Sequence, residues 1–362
     1  MIIDIACAVF NVLFTGLFVL GLAGLLTWVE RKQSAVMQDR IGANRADLFG
    51  WDPKFLRPIR RLGLFHPIAD GLKMILKEDH VPPNANKALF NLAPFVSIFF
   101  ALIAFAAIPF SDRFVVGGHE AAIQVAPMNV GVLYIFAVLS MGIYGVFLAG
   151  YASKNNWAFL GGIRASALML SAEIAIGVSI IGVIMTYGSL EIGEIVRAQQ
   201  SSPDDLLLGF LPKWGIIMQP LGFIIFLAAG IAATKRIPFD MPEGESEIIG
   251  YFVEYSGMKF GMFMMTDFVE TIVIAGLTAA LFLGGWHIPY FYPEQATAAV
   301  VILQALVFIL KVAFMCWFMI LVRWTLPRFR YDQAMRFGWM ALLPLALVNI
   351  VLTGIMKVLV SG

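Results

Sequence analysis

The sequence predicts an all-α polytopic membrane protein: eight transmembrane helices and one amphipathic helix on the cytoplasmic surface, in a single integral-membrane domain over residues 1–362. Three observations predict it. The chain is 60% hydrophobic and 14% charged, whereas globular domains carry about a quarter charged residues. Eight apolar stretches reach the length of about 20 residues that a helix needs to cross a bilayer core. The basic residues also sort onto alternate loops, which is the pattern expected of a multi-pass protein.

The eight stretches are residues 4–29, 89–110, 129–150, 165–187, 215–233, 260–284, 297–321 and 337–358. The first has no basic n-region, exceeds a signal-peptide core in length and runs straight into Glu30-Arg31-Lys32, so it reads as a first span and not a cleavable leader. Of 25 Lys and Arg, 20 fall on one set of loops, 11 of them between spans one and two, and the other loops carry Arg113, Arg197, Lys213 and Lys357. The positive-inside rule then places both termini on the non-cytoplasmic side.

The first cytoplasmic loop, residues 30–88, has three parts. Glu30 to Arg40 continues the first helix into water. Asn44 to Arg61 is irregular, with Pro53, Pro58 and clustered arginines. Residues 67–79 read as an amphipathic helix with Pro67 in its first turn and Pro82-Pro83 beyond its end. Ile68, Leu72, Ile75 and Leu76 share one face, and Asp70, Lys73 and Lys77 the opposite one. About 20 Å long at 1.5 Å per residue, it is too short to span and lies along the interface, as a lipid anchor or a docking surface for a soluble partner.

Residues 234–259 form an acidic loop, with Asp240, Glu243, Glu245, Glu247 and Glu254. Asp240 followed by Glu243 reads as a capping-box variant opening a helix with Pro242 in its first turn. If that helix continues, Glu243, Glu247 and Glu254 share a face and Glu245 points away. Inside the spans lie Glu173, Asp267, Glu270 and Lys311. Each costs about 2.5–3.5 kcal/mol at a helix centre unless paired or hydrated, so a proton or ion path is the leading reading. The alternative is that Lys311 pairs with Glu173 or Asp267 to lock helices together. Cys7 and Cys316 are far apart, and His66, His80, His119 and His287 have no metal-ligand spacing, so no metal or redox centre is expected.

At Glu30-Arg31-Lys32, His66-Pro-Ile-Ala-Asp70-Gly-Leu-Lys73, Arg236-Ile-Pro-Phe-Asp-Met-Pro-Glu-Gly-Glu-Ser-Glu247 and Pro327-Arg-Phe-Arg-Tyr-Asp-Gln333 the sequence resembles subunit 1 of respiratory complex I, NADH:quinone oxidoreductase. The resemblance runs nearly end to end. It implies a non-redox membrane subunit that is not catalytic alone, sits beside the peripheral arm and builds much of a quinone chamber, in a bacterial plasma membrane or mitochondrial inner membrane. Quinone is then the substrate, and FMN and iron–sulfur clusters are expected in partner subunits, with none bound by this chain. The implied partners are hydrophilic peripheral-arm subunits, other membrane-arm subunits and lipid, and not nucleic acid. The resemblance assigns Glu30, Arg31, Asp70, Phe239, Asp240 and Glu243 to the quinone chamber. It assigns Glu173, Glu243, Glu245, Glu247, Glu254, Asp267 and Lys311 to a proton path, and Lys73, Arg236, Arg323, Arg328 and Arg330 to docking or structure.

There are departures from the family pattern. Many relatives carry a glutamate at the position of Ala233, and Lys235 is usually a different residue. Asp267 stands in place of a glutamate, Ala43 interrupts a Gly-Pro-Asn, and residues 46–61 look like an insertion. Two other readings stay open: a chiefly structural adaptor for a soluble arm, and the membrane subunit of a related proton-pumping hydrogenase. A stand-alone transporter is disfavoured because no internal repeat is found.

Overall fold

A computed structural model describes residues 2–46, 57–116, 119–200, 212–240, 250–291 and 297–361. The acidic residues Glu243, Glu245 and Glu247, the expected capping box after Asp240 and most of the 46–61 insertion lie outside the described residues. The helices in chain order are α1 (Ile2–Met37), α2 (Arg57–Leu62), α3 (His66–Leu76), α4 (Lys87–Ala104), α5 (Gly131–Ala152), α6 (Asn156–Tyr187) and α7 (Ile192–Ala198). They continue with α8 (Gly215–Met218), α9 (Pro220–Ala233), α10 (Gly257–Phe282), α11 (Ala298–Thr325), α12 (Tyr331–Arg336) and α13 (Leu343–Ser361), the last two joined by a π-helical turn over Phe337–Leu342. The architecture is helical except for a small antiparallel hairpin, β1 (Phe114–Val116) with β2 (His119–Ala121), that the all-α reading did not foresee.

Among the described residues seven helices, not eight, are long and apolar enough to cross a membrane. The difference lies in the expected span 215–233, which is broken at Gln219 into α8 and α9. Pro220 has no N–H to continue a helix and forces the residue before it out of the helical region; Gln219 accordingly sits at φ −136°, ψ 58°. The backbone at the break stays paired, Gln219 N–H donating to the Gly215 carbonyl (2.8 Å) and Phe223 N–H to the Gln219 carbonyl (2.9 Å). The Gln219 side chain is satisfied too: Nε2 donates to Thr186 Oγ1 (3.1 Å) and Thr353 Oγ1 (2.9 Å), and Asn349 Nδ2 donates to Oε1 (3.1 Å). A break in a span is tolerated only with such replacement partners.

α10 is the axis. Of its most apolar window 94% is buried, against 17% for α1 and 22% for the α12–α13 rod, so the others wrap around it. With lipid as apolar as leucine, close approach of backbones drives packing. Gly145 of α5 supplies one such approach: a Cβ there would lie 2.7 Å from the backbone nitrogen of Ser97 on α4.

Ion pairs and hydrogen bonds define two ends. At one end the α1 terminus, α3 and the loops 153–155, 234–240, 250–256 and 326–330 meet; Lys259 pairs with Asp79 (2.7 Å) and Asn155 Nδ2 donates to Glu254 (2.7 Å). Glu254 sits in turns over residues 251–254 and not on the long helix expected from Asp240 onward. The opposite end is tied by Arg197–Asp112 (2.9 Å) and Arg113–Glu191 (3.3 Å). There His287 is buried, and that burial pushes its imidazole down to about 4.

Packing and burial each carry a prediction. Gly145→Val should cost about 1–3 kcal/mol by forcing α4 and α5 apart, read as earlier thermal aggregation of the protein in native membranes. For His287, the unfolded imidazole takes up a proton near 6.5 and the folded one only near 4. The unfolded state therefore binds more protons in that window. Stability should be full above about pH 6.5 and fall progressively toward pH 4, and His287→Asn should flatten that slope in the same assay.

Candidate functional site

Where α9 ends, Lys235 takes a left-handed backbone conformation (φ 56°), unfavourable for a residue with a Cβ, and turns its side chain inward. Its ammonium lies 2.7 Å from Asp267 and 3.4 Å from Glu270, two carboxylates at i, i+3 on α10. Lys235 is 2% exposed. Burial alone would push its ammonium down, but Asp267 and then Glu270 outweigh that and hold it well above the usual lysine value. The pair of in-span carboxylates thus has its counter-charge from a loop residue.

Glu173 of α6 accepts a hydrogen bond from Ser140 Oγ of α5 (2.7 Å). Together with Glu270 it lines a small cavity of about 20 Å³, walled by Leu139, Ile176, Ala233 and Thr234. That is room for one water molecule, whose centre needs roughly 10–15 Å³. Lys311 behaves differently from the sequence alternative. It pairs with neither Glu173 nor Asp267; its ammonium donates to the carbonyls of Leu283 (2.7 Å), Gly285 (2.8 Å) and His287 (2.7 Å) and lies over the Trp214 ring. Leu283 caps α10 and the other two carbonyls lie in the turn just beyond it, at the end where the helix dipole is negative and a cation is favoured. The expected proton-path residues are therefore split: Glu173 meets Glu270 across the small cavity and Asp267 shares its face of α10, while Lys311 lies just past the C-terminus of that helix.

Glu30 and Arg31, adjacent in sequence, look to different partners. Glu30 bridges Arg323 (2.7 Å) and Arg236 (3.1 Å), and Arg236 also stacks on Phe268 at 4.0 Å. One carboxylate so joins α1, the loop after α9 and α11. Arg31 pairs with Asp70 of α3 (2.6 Å). Buried Asp240 accepts from Arg328 (3.0 Å), while Phe239 packs in a cluster with Phe329 and Phe337. Arg330 pairs with Asp332 at the surface.

The polar face of α3 borders a cavity, with Lys73 still exposed. Asp70, Lys73 and Met74 look toward α1 and α10 and line a cavity of about 450 Å³ with Arg31, Tyr255 and Met264. Gly261 makes room for Met74 there: a Cβ would meet its sulfur at 2.6 Å. The helix ends at Leu76, short of the expected 79, and Ile68, Leu72, Ile75 and Leu76 stay exposed on its other side. The cavity floor is apolar and methionine-rich, and its charged groups sit at the α1–α3 seam. A flat or flexible apolar molecule with a polar end matches that lining.

Sequence reasoning missed Lys235, read as one more basic loop residue. The available signal was a lysine directly after an apolar run facing two carboxylates on a later span, which cannot both stay ionised there unpaired. It missed Ser140 and Asn155 because single polar residues in or beside spans carry no charge signature. Among the described residues no group of three or more His, Cys, Asp or Glu is placed to hold a metal ion.

Comparison with known proteins agrees with this geometry of a membrane bundle. Residues 10–354 match the model of the NADH dehydrogenase family. The sequence is 44% identical to the first of the H-type subunits of NADH-quinone oxidoreductase from Cytophaga hutchinsonii, covering 95% of each chain. It is 43% identical to the H-type subunit of the same enzyme from Thermomicrobium roseum, over 93% of this chain and 92% of that one. With the second H-type subunit from Rhizobium meliloti it shares 38% identity over 98% of both. The chain is thus a multi-pass membrane protein that belongs to the NADH dehydrogenase family, among the H-type subunits of NADH-quinone oxidoreductase, subunit 1 of complex I.

Proposed function

We propose that this protein forms the entry chamber for quinone in a proton-pumping NADH:quinone oxidoreductase and couples quinone reduction to proton movement through buried carboxylates. The observation that carries this is the continuity of α10. Its residues Met264 and Met265 line the large cavity, and one turn further its Glu270 enters the water-sized cavity beside Glu173, with Asp267 on the same face. A change of charge or shape in the chamber therefore reaches buried acids along one rigid helix, in surroundings where charges interact over longer range than in water.

In this reading Arg31 and Asp70 hold the chamber mouth, and the quinone tail occupies the methionine-lined floor. The exposed apolar side of α3 lies in the lipid interface. Glu243, Glu245, Glu247 and Glu254 form the switch between chamber and relay, Glu173 and Asp267 continue it, and Lys311 takes its far end. The chain itself transfers no electrons; FMN and iron–sulfur clusters belong to hydrophilic partner subunits, and other membrane-arm subunits adjoin this one. The excess of basic loops at the chamber end supports a cytoplasmic position for that end, with both termini outside.

A second reading applies to the remaining charges. Glu30, Arg236, Arg323, Asp240 and Arg328 pair with one another inside the protein, which favours a structural role for them over docking of a soluble arm.

The tests separate chamber, relay and structure. Glu173→Gln should lower protons pumped per NADH oxidised at least about tenfold while native gels show assembled complex; wild-type pumping would remove the relay. Asp70→Asn should raise the quinone KM about tenfold, equivalent to about 1.4 kcal/mol, with kcat little changed. Glu30→Gln leaves buried Arg236 and partly buried Arg323 short of a partner and should cost up to about 3–5 kcal/mol, seen as less assembled complex but normal turnover per complex.

A further inference from the structure

We infer that Lys235, Asp267 and Glu270 form a proton-exchange site in which Glu270 carries the exchangeable proton and passes it to Glu173 through the single-water cavity; this rests on the relay reading above. Two carboxylates face one ammonium, so the fully ionised group keeps one net negative charge in a place where charge is expensive. The ammonium does not share itself evenly. It is 2.7 Å from Asp267 and 3.4 Å from Glu270, so Asp267 is the tightly compensated anion and Glu270 the one whose charge is left over. Both acids are more than nine-tenths buried. Among the described residues Lys235 Nζ has no hydrogen-bond partner besides them.

Of the neighbouring groups, Arg236 stacks on Phe268 of the same helix as the two acids and has its guanidinium engaged by Glu30. Tyr251 is buried near Lys235. Of the three members, Glu270 alone lines the cavity that Glu173 lines, and Glu173 is held toward it by Ser140.

The step balances. The Glu270 carboxylic acid gives its proton to the intervening water, which gives one to the Glu173 carboxylate; Glu270 is left as an anion against Lys235, and Glu173 as a neutral acid. Lys235 is a positioning residue: it keeps its proton and stabilises the anion formed. Its left-handed backbone is the conformation that delivers the ammonium to this place.

The test uses inside-out membrane vesicles containing the whole complex, with protons pumped and NADH oxidised measured together. Glu270→Gln should lower the ratio at least about tenfold with the complex assembled. Because Ala233 lines the same cavity, adding Ala233→Glu to Glu270→Gln should restore at least half of the wild-type ratio, which a packing role for Glu270 would not allow. A wild-type ratio in Glu270→Gln overturns the inference, and so does a loss that Ala233→Glu leaves unrestored. If Glu270→Gln alone fails to assemble, the double variant is read in its place against the same half-of-wild-type limit. Glu173→Gln distinguishes the two levels: normal pumping there removes the relay itself, whereas uncoupling there with normal pumping in Glu270→Gln removes this site alone.

Discussion

Everything in this bundle is arranged around the difficulty of keeping ionised groups on a helix that lies at its centre. α10 is buried almost throughout, yet carries Asp267 and Glu270. It is stable there because Lys235 arrives from the end of α9 to neutralise one of the two charges. Removing one partner of a buried pair leaves an uncompensated charge, at a cost of about 3–5 kcal/mol, so the three side chains stand or fall together. The left-handed backbone at Lys235 is the local strain that this arrangement carries. From that junction the loop continues into Arg236, whose pairing with Glu30 and stacking on Phe268 tie α1 and α11 to the same place.

Just past the C-terminus of the axis a second lysine is satisfied by different chemistry. Lys311 donates to the carbonyl of Leu283, which caps α10, and to those of Gly285 and His287 in the turn beyond it, without any carboxylate. A lysine inside a span is thus explained by the backbone of its neighbour. One axial helix is met by two lysines, one bound midway along it through side-chain anions and the other just past its C-terminus through peptide carbonyls.

Long, strongly apolar segments were legible in the sequence because a bilayer admits few alternatives, and so were the loops that gather at each end, through their arginines and lysines. The break in 215–233 was not legible, because apolarity alone does not register what Pro220 does to Gln219. The surface helix was found, but the direction of its polar face was not, since amphipathicity says that two faces differ and not which one meets protein. Glu173, Asp267 and Glu270 stood out by their cost. Lys235 did not, because a lysine just beyond a span normally reaches water, and only the fold shows that this one turns back. The α9 break and the Lys235 turn are tertiary facts: each is resolved by partners far away in sequence.

The brevity of α9 has a consequence for the surrounding lipid. Its 14 residues rise about 21 Å at 1.5 Å per residue, while a bilayer's hydrocarbon layer is about 30 Å thick. α9 alone therefore falls short of a crossing, and α8 on the other side of the Gln219 break is needed to complete it. Hydrophobic mismatch of this kind is met by thinning of the bilayer or by protein covering the gap. Here the side chains around Gln219, from α6 and α13, hold the two pieces of the broken span together as one crossing.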